Sequence, residues 1–489
     1  MYSMVDSANS LAELFPEGLH GKRIHAIGAG GSGISAALWL AREHGAIVSG
    51  CDVASTSMSR LLNSQGIPVT EGHETSHTAD VDLVIVSPAV LYRRPDLPEL
   101  THPRERGIPV MKWQALLGFL MQGSIGVSVA GVHGKGSTTS LLGSLAIAGG
   151  LDPTVEVGAT VVEWASNIRL GHGPVFINEA DEFDYNFLFY HPRIVTLTAV
   201  EYDHPEFFSS YEEIRDAFVT FLQGMDLSDR GPSAPKPTLV LNADDPGCLD
   251  VRARLGEWPG QTRTFGIKSE AADVRARQYN PESGSFELEV DRSALGSLTL
   301  ATAGIHSVYN ALAATAAATT LGVPYASLVP ALSAFRGLRR RFEIIPDGSV
   351  TFVDDYAHHP RAVALTIETA RRLYPKRRLI AVFQPTLYTR LHRFLQPFSE
   401  AFDQADEVLI VEVQPSREVD TGLIHGNDLV RAIAERPAFA KRRDAVRYGG
   451  NYDETAALLR QSRQDGDVVV VMGSGPVNQV ISGARAYGS

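Results

Sequence analysis

Val127-Ser-Val-Ala-Gly131-Val-His133-Gly134-Lys135-Gly136-Ser137-Thr138-Thr139 decides how the rest of the chain is read. A β-branched run from Ile125 to Val129 feeds a glycine turn with a lysine, and a helix-compatible run from Thr138 to Ala148 follows. That order suits a phosphate. Glycines let backbone N–H groups converge on the oxygens, the lysine adds a point charge, and a helix N-terminus adds partial positive charge. Ser137 and Thr138 stand where a hydroxyl donates to phosphate or holds Mg²⁺. The spacing departs from G-x-x-x-x-G-K-[ST]: Gly131 lies closer to the Gly134-Lys135 pair, and Gly136 separates the lysine from the hydroxyls. The plain alternative is a glycine turn with a surface lysine; the strand–loop–helix setting favours a nucleotide.

Composition narrows the class. At 489 residues the chain exceeds what one core serves, so two to four domains are expected. Hydrophobic residues at 44% and charged residues at 20% describe an ordinary globular protein. No apolar run reaches the ~18 residues of a membrane span. Met1-Tyr-Ser-Met-Val-Asp6 lacks the basic and apolar regions of a secretory leader, so a cytoplasmic location is expected. Two cysteines, Cys51 and Cys248, make neither a disulfide framework nor a Cys-rich zinc site. A net charge of −12 argues against nucleic acid and against an anionic membrane surface as partners. An anionic small substrate remains compatible, because local Lys, Arg and Mg²⁺ offset the global sign.

Three segments follow one another. To about residue 121, apolar runs (Arg23–Gly28, Ala46–Cys51, Leu83–Val86) alternate with helical patterns, as in a parallel α/β sheet. The second carries the lysine loop, strands predicted at Val175–Ile177, Ile194–Thr198 and Thr238–Leu241, and an Ala-rich helix over Asn310–Leu321. Its Gly231-Pro-Ser-Ala-Pro-Lys-Pro stretch reads as a surface loop, and residues 270 to 300 as an antiparallel insertion. The third begins near Ile345, after Arg339-Arg340-Arg341, with strands at Val350–Val353, Arg378–Phe383, Glu407–Val411 and Val468–Met472. A helix in it runs through Leu373. The expectation is three α/β domains, the middle one an ATPase.

Near the N-terminus, Gly28-Ala-Gly30-Gly31-Ser32-Gly33 is a complete G-x-G-x-x-G after a strand, and Asp52 ends the next strand. Gly28 makes the turn, Gly30 lets backbone approach a diphosphate, and Gly33 permits close helix packing. Alone, this motif favours an NAD-dependent oxidoreductase; its physics fits a UDP-sugar equally well. A second nucleotide loop a hundred residues later has no place in a dehydrogenase. A protein that binds nucleotide without turnover is a third reading.

In the middle segment, Asn178-Glu179-Ala-Asp181-Glu182-Phe-Asp184 crowds four carboxylates beyond a predicted strand, which calls for a cation. Glu179, taken as the first residue past that strand, is best placed for Mg²⁺. His204, in Glu201-Tyr-Asp-His204, also follows a strand and could ligate a second metal or touch a phosphoryl group. Asn310 lies four residues after His306 on one helix face, and its amide can read an adenine edge.

In order, these motifs resemble the Mur ligase family, ATP-dependent amide ligases that build the cell-wall peptide. The resemblance spans Gly28 to Gly473 and includes Gly337-Leu-Arg-Arg-Arg341-Phe-Glu and Asp354-Asp355-Tyr356-Ala-His358-His-Pro. It implies a Rossmann-like UDP-sugar domain (1–121), a central P-loop ATPase domain with a mainly parallel sheet (122–345) and a Rossmann-like amino-acid domain (346–489). Phe383-Gln-Pro-Thr386-Leu387-Tyr-Thr-Arg390 leans toward members that add L-alanine to UDP-N-acetylmuramate; Glu201-Tyr-Asp-His-Pro-Glu-Phe-Phe leans toward those that add a recycled tripeptide.

The resemblance implies roles as well. Lys135, Glu179, His204 and Arg341 would be catalytic, with Ser137, Glu179 and His204 holding two Mg²⁺. Gly131, His133, Gly134, Gly136, Thr138, Asn310 and Asp355 would complete the ATP site. Gly28, Gly30, Gly31, Ser32, Gly33, Asp52 and Ser87 would take the UDP-sugar, and Tyr356, His358 and Arg390 the amino acid. A monomer or homodimer is expected. The chain departs from the family's usual Gly-Thr-His-Gly-Lys-Thr-Thr at Val132, Gly136 and Ser137, and carries Ser307, Thr386 and Leu387 where other residues are usual.

Overall fold

The computed structural model describes residues 8–302, 304–416 and 418–485. The Met1–Asp6 stretch read for a leader lies outside them. Three sheets, each flanked by helices, divide the chain into three α/β domains with mainly parallel strands. Among the described residues no helix is long and apolar enough to cross a membrane.

The first sheet holds β1 (Arg23–Ile27), β2 (Ile47–Asp52), β3 (Val69–Glu71), β4 (Leu83–Val86) and β5 (Val110–Lys112). Its order is β3-β2-β1-β4-β5, all parallel. Strand order reverses between β1 and β4, and a ligand crevice opens at such a switch point. Gly28 leaves β1 there, and Ser87 leaves β4 beside it; a Cβ on Gly28 would lie 3.0 Å from that of Ser87.

The second sheet comprises β6 (Ile125–Ala130), β7 (Thr154–Val161), β8 (Ser166–Arg169), β9 (Val175–Ala180), β10 (Ile194–Leu197), β11 (Thr238–Asn242), β12 (Gln261–Gly266), β13 (Val274–Arg277), β14 (Ser285–Val290) and β15 (Ser293–Thr299). Their order is β15-β14-β13-β12-β11-β10-β6-β9-β7-β8. Central β6 is buried almost throughout, its valines packed in the core and its one polar side chain, Ser128, donating to Asn178 Oδ1 at 2.6 Å. Its neighbours β9 and β10 run parallel to it, so the acidic stretch and His204 emerge at the same sheet edge as the lysine loop. The helix Ile305–Thr320 packs on the lysine-loop helix through buried Ala313, Ala314 and Ala317, whose small side chains allow close approach.

The third sheet holds β16 (Glu343–Asp347), β17 (Val350–Asp355), β18 (Leu379–Phe383), β19 (Glu407–Val411), β20 (Val446–Gly450) and β21 (Val468–Met472), ordered β16-β17-β21-β18-β19-β20. Only β16 is antiparallel.

Several expectations shift by a few residues. The lysine-loop helix begins at Lys135 rather than Thr138. β9 continues to Ala180, so Glu179 sits inside the strand rather than first beyond it. Residues 270 to 300 do form antiparallel strands, but these extend the edge of the main sheet: β13 pairs parallel with β12 and antiparallel with β14. The sequence does not predict strands β3, β5, β7, β8, β12, β16 and β20. Short length hides β3 and β5, and Pro346, tolerated at a sheet edge, disguises β16.

Candidate active site

The lysine loop owes its shape to two glycines. Gly131 has φ +127°, and a Cβ there would fall 2.3 Å from the Thr198 hydroxyl. Gly134 has φ +79° and lies so near Asn310 Oδ1 that a Cβ would approach to 2.4 Å. No side chain caps the Lys135–Ala148 helix, which leaves its first N–H groups available to an anion. Gly136 faces Glu179: a Cβ there would stand 3.0 Å from Oε2. The residue that breaks the familiar spacing is therefore the one that makes room for a carboxylate.

Lys135 Nζ donates to Glu182 Oε2 at 2.8 Å and lies 3.7 Å from Asp181 Oδ1. Glu182 is wholly buried, and its Oε1 has no hydrogen-bond partner. His204 Nε2 stands 3.6 Å from that oxygen, while its Nδ1 meets Glu206 at 3.1 Å. Ligand atoms of Asp181, Glu182 and His204 all lie within 4.8 Å of one another, a donor set of oxygens and one imidazole that fits a divalent cation. Glu179 Oε2 accepts from Gly158 N at 2.8 Å. Thr138 donates to Asn310 Oδ1 at 3.3 Å, so of the two hydroxyls Ser137 is the one not committed to that helix. The same bond occupies the Oδ1 side of the Asn310 amide. Asp184, counted with the acidic cluster, instead turns to Lys112 of the first domain.

Electrostatics follow the packing. Burial alone would raise the Glu182 carboxyl, but Lys135 and His204 outweigh it and hold it at about 2. Burial pushes Glu179 upward, with Lys135 opposing. For His204 burial works against protonation, yet Asp203, Glu182 and Glu206 lift it to about 9. Without a cation, the cluster is balanced by Lys135 and a protonated histidine.

The third domain closes over this edge. Arg390, expected to be open to an amino-acid carboxylate, is 2% exposed and donates through Nη2 to Asp203 Oδ1 at 2.8 Å. Its Nε remains buried without a partner. Arg361 donates to Glu201 Oε2 at 2.6 Å, and Glu201 Oε1 lies 2.5 Å from His133 Nε2. The Arg341 guanidinium sits 4.8 Å over the Tyr356 ring, and its charge bears on both Glu179 and Asp355. Asp355 accepts from the N–H groups of Phe342 (2.8 Å) and Ala357 (2.7 Å), a use of the carboxylate that the sequence did not suggest. His358 Nδ1 lies 3.0 Å from the Tyr356 carbonyl oxygen, and burial, then Arg390, drives its pKa well down.

At the first domain's switch point, Asp52 Oδ2 accepts from Gly30 N at 2.8 Å and Oδ1 from Val53 N at 2.7 Å. It braces the glycine loop rather than standing free. A Cβ on Gly33 would overlap Trp113 at 2.3 Å, which accounts for the third glycine as a packing requirement. Gly31 precedes the helix Ser32–Glu43, whose N-terminus no side chain caps. Asn167 of the second domain donates to the Ser32 carbonyl oxygen at 2.5 Å. The structure thus brings Lys135, Glu179 and His204 to one edge, with Arg341, Asp355, His358 and Arg390 arriving from the third domain. Gly28 to Gly33, Asp52 and Ser87 form a separate cradle. Asp181, Glu182, Glu201 and Asp203 have no individual role in the sequence reading, though they lie within the Glu179-Ala-Asp-Glu and Glu201-Tyr-Asp-His204 motifs.

Comparison with known proteins agrees with this arrangement. Family models match residues 23–124 ("Mur ligase family, catalytic domain"), 129–318 ("Mur ligase middle domain") and 340–475 ("Mur ligase, glutamate ligase domain"). The chain is 37% identical over 474 residues to the UDP-N-acetylmuramate–L-alanine ligase of Methylobacillus flagellatus, covering 94% of this chain and 95% of the relative. It is 34% identical to the enzyme of that name from Sulfurihydrogenibium, covering 95% and 98%. The crystal structure of the Thermotoga maritima UDP-N-acetylmuramate–alanine ligase superimposes with a TM-score of 0.74 at 26% identity, covering 95% of this chain and 97% of that one.

Proposed function

This chain belongs to the Mur ligase family, and from that premise we propose that it joins L-alanine to UDP-N-acetylmuramate with ATP as the energy source. One observation carries the choice of substrate: relatives matched over nearly the whole chain bear that activity in their names. The tripeptide-adding alternative is not favoured by those relatives, and the oxidoreductase reading falls with the family.

A carboxylate is a poor electrophile and must be activated. In the proposed reaction the muramyl carboxylate oxygen attacks the γ-phosphorus of ATP, ADP leaves, and an acyl phosphate forms. The alanine amine then attacks the acyl carbon, phosphate departs, and the amine's proton is lost. Two anions must meet in the first step, so positive charge is the central need. We assign Lys135 to the β- and γ-phosphate oxygens, supported by its place on an uncapped helix N-terminus. Mg²⁺ held by Ser137 with Glu179, and a second by His204 with Asp181 and Glu182, would supply further charge neutralisation. Arg341 reaches the same region from the third domain, with Asp355 for the ribose and Asn310 Nδ2 for adenine.

Arg390 offers its unpartnered Nε to the amino-acid carboxylate, with His358 and Tyr356 beside it. His133 stays with Glu201 as part of the wall between domains. The glycine cradle at Gly28, Gly30, Gly31, Ser32 and Gly33, with Asp52 and Ser87, takes the UDP diphosphate. Residues 1–121, 122 to about 339, and 340 onward then divide as UDP-sugar, ATP and amino-acid domains; the last takes in β16 and so begins before the expected residue 346. A cytoplasmic location suits these substrates. Phosphate release measured with UDP-N-acetylmuramate, ATP and Mg²⁺ should depend on L-alanine. Release driven only by the Ala–Glu–diaminopimelate tripeptide would transfer the chain to the recycling activity.

A further inference from the structure

A group of metal-ligating side chains lies in the first domain, away from the lysine loop. β1 and β2 are parallel, with His25 opposite Ser49 and Ile27 opposite Cys51. Since residues two apart share a sheet face, His25, Ser49 and Cys51 line one side. The turn after β3 brings in His73 and His77, and the helix Pro98–Glu105 brings in Glu99. His25 Nε2 is 3.3 Å from Cys51 Sγ, and that sulfur is 3.4 Å from His73 Nδ1 and 3.5 Å from Glu99 Oε2. His77 Nδ1 meets Glu99 Oε1 at 2.6 Å, and His73 Nδ1 meets Oε2 at 2.7 Å. One ligand atom from each of His25, Cys51, His77 and Glu99 can be chosen so that all lie within 4.8 Å of one another.

We propose that His25, Cys51, His77 and Glu99, with His73 at the rim, form a site for a borderline-soft divalent cation such as Zn²⁺. Four arguments support it. Tetrahedral bonds of about 2.0–2.3 Å place ligand atoms roughly 3.3–3.8 Å apart, and the contacts of Cys51 Sγ fall in that range. The Ser49 hydroxyl, 2.8 Å from His25 Nδ1, fixes the ring so that Nε2 points at the sulfur, the outer support that metal-binding imidazoles carry. Glu99 is 1% exposed, yet its ion-pair partners among the described residues are only the two histidines. A buried carboxylate calls for positive charge, and a cation there supplies it. Finally, mixed nitrogen, sulfur and oxygen donors select zinc-like ions over Mg²⁺, so this site and the ATP site would not compete.

The site also has a place in the architecture. The Cys51 carbonyl oxygen accepts from Gly28 N at 2.9 Å and Ala29 N at 3.0 Å, so the cation would sit directly beneath the glycine cradle. It would tie β1, β2, the turn after β3 and the Pro98–Glu105 helix together. This inference stands independently of the ligase activity.

The test uses the full chain, stripped of metal, saturated with Mg²⁺ and titrated with Co²⁺. One equivalent should bind with a thiolate-to-cobalt charge-transfer absorption, retained in Cys248→Ser, lost in Cys51→Ser and displaced by Zn²⁺. Absence of that absorption from the parent chain, or its persistence in Cys51→Ser, overturns the proposal and leaves a metal-free hydrogen-bond network. Should Cys51→Ser fail to fold, His77→Asn, at another ligand, should bind Co²⁺ at least about tenfold more weakly; unchanged affinity again overturns the site.

Discussion

Two glycine loops, each between a parallel strand and a helix, are furnished differently for the anions proposed to fill them. The loop at Gly28–Gly33 carries no basic side chain, and the nearby acid, Asp52, is spent on one loop N–H, that of Gly30, and on the Val53 N–H. The loop at Gly131–Ser137 places Lys135 among acids, with buried Glu182 and half-exposed Asp181 beside it and Glu179 facing Gly136. Holding a diphosphate still needs only preorganised dipoles. Moving a phosphoryl group needs charges that can exchange partners; on the proposed reading Lys135 would trade a carboxylate for phosphate oxygens. The density of titratable groups, more than the glycine pattern, separates a binding loop from a reacting one.

The largest expected effect bears directly on that contrast. Lys135→Ala should lower kcat by about 10²–10³ or more, while calorimetry finds UDP-N-acetylmuramate binding within a few-fold of the parent. Loss of that binding too would mean the loops do not work separately. The variant should also unfold earlier, since it removes the lysine beside buried Glu182 and leaves only His204 to compensate its charge.

Arg390→Lys comes next. It keeps a charge near Asp203 but removes Nε, so KM for L-alanine should rise by about 1.5–3 kcal/mol in free-energy terms, with kcat less affected. An unchanged KM would move the carboxylate contact elsewhere.

pH sharpens the comparison from the stability side. His204 is held at about 9, above its ordinary 6.5, so it stabilises the fold fully below pH 6.5, and that contribution fades as pH rises toward 9. Glu182, held at about 2 against an ordinary 4.5, stabilises above 4.5 and loses this as pH falls toward 2. In chelator, the thermal midpoint should therefore decline between pH 6.5 and 9, and His204→Gln should flatten that slope. A slope unchanged in the variant assigns it to other groups.

Asp52→Ala is the smallest. The Gly30 loop N–H and the Val53 N–H lose their acceptor, so KM for the UDP substrate should rise by about 1 kcal/mol with kcat intact. A fall in kcat would show that the first loop takes part in chemistry.

Much of this was legible in the sequence. Runs such as Leu83–Val86 and Val468–Met472 have no reading but buried parallel strands, and both coincide with the structure. Motif order gave the three domains. What stayed hidden was partner choice. Glu182 and Asp184 look alike in an acidic run, yet one is buried against Lys135 and the other turns out to Lys112. His25 and Cys51 read as isolated residues in apolar strands, because only the parallel register and a distant helix bring them to Glu99. Arg390 was expected to be free for substrate; its pairing with Asp203 links residues 187 apart in the chain.

That last pairing constrains how such proteins can be recombined. A chimera that grafts this third domain onto another ligase's central domain would import a guanidinium with no acid to receive it, unless an aspartate stands at the position of Asp203. Glu201 and Arg361 impose the same matching beside it. The two domains can be exchanged as a unit far more readily than singly.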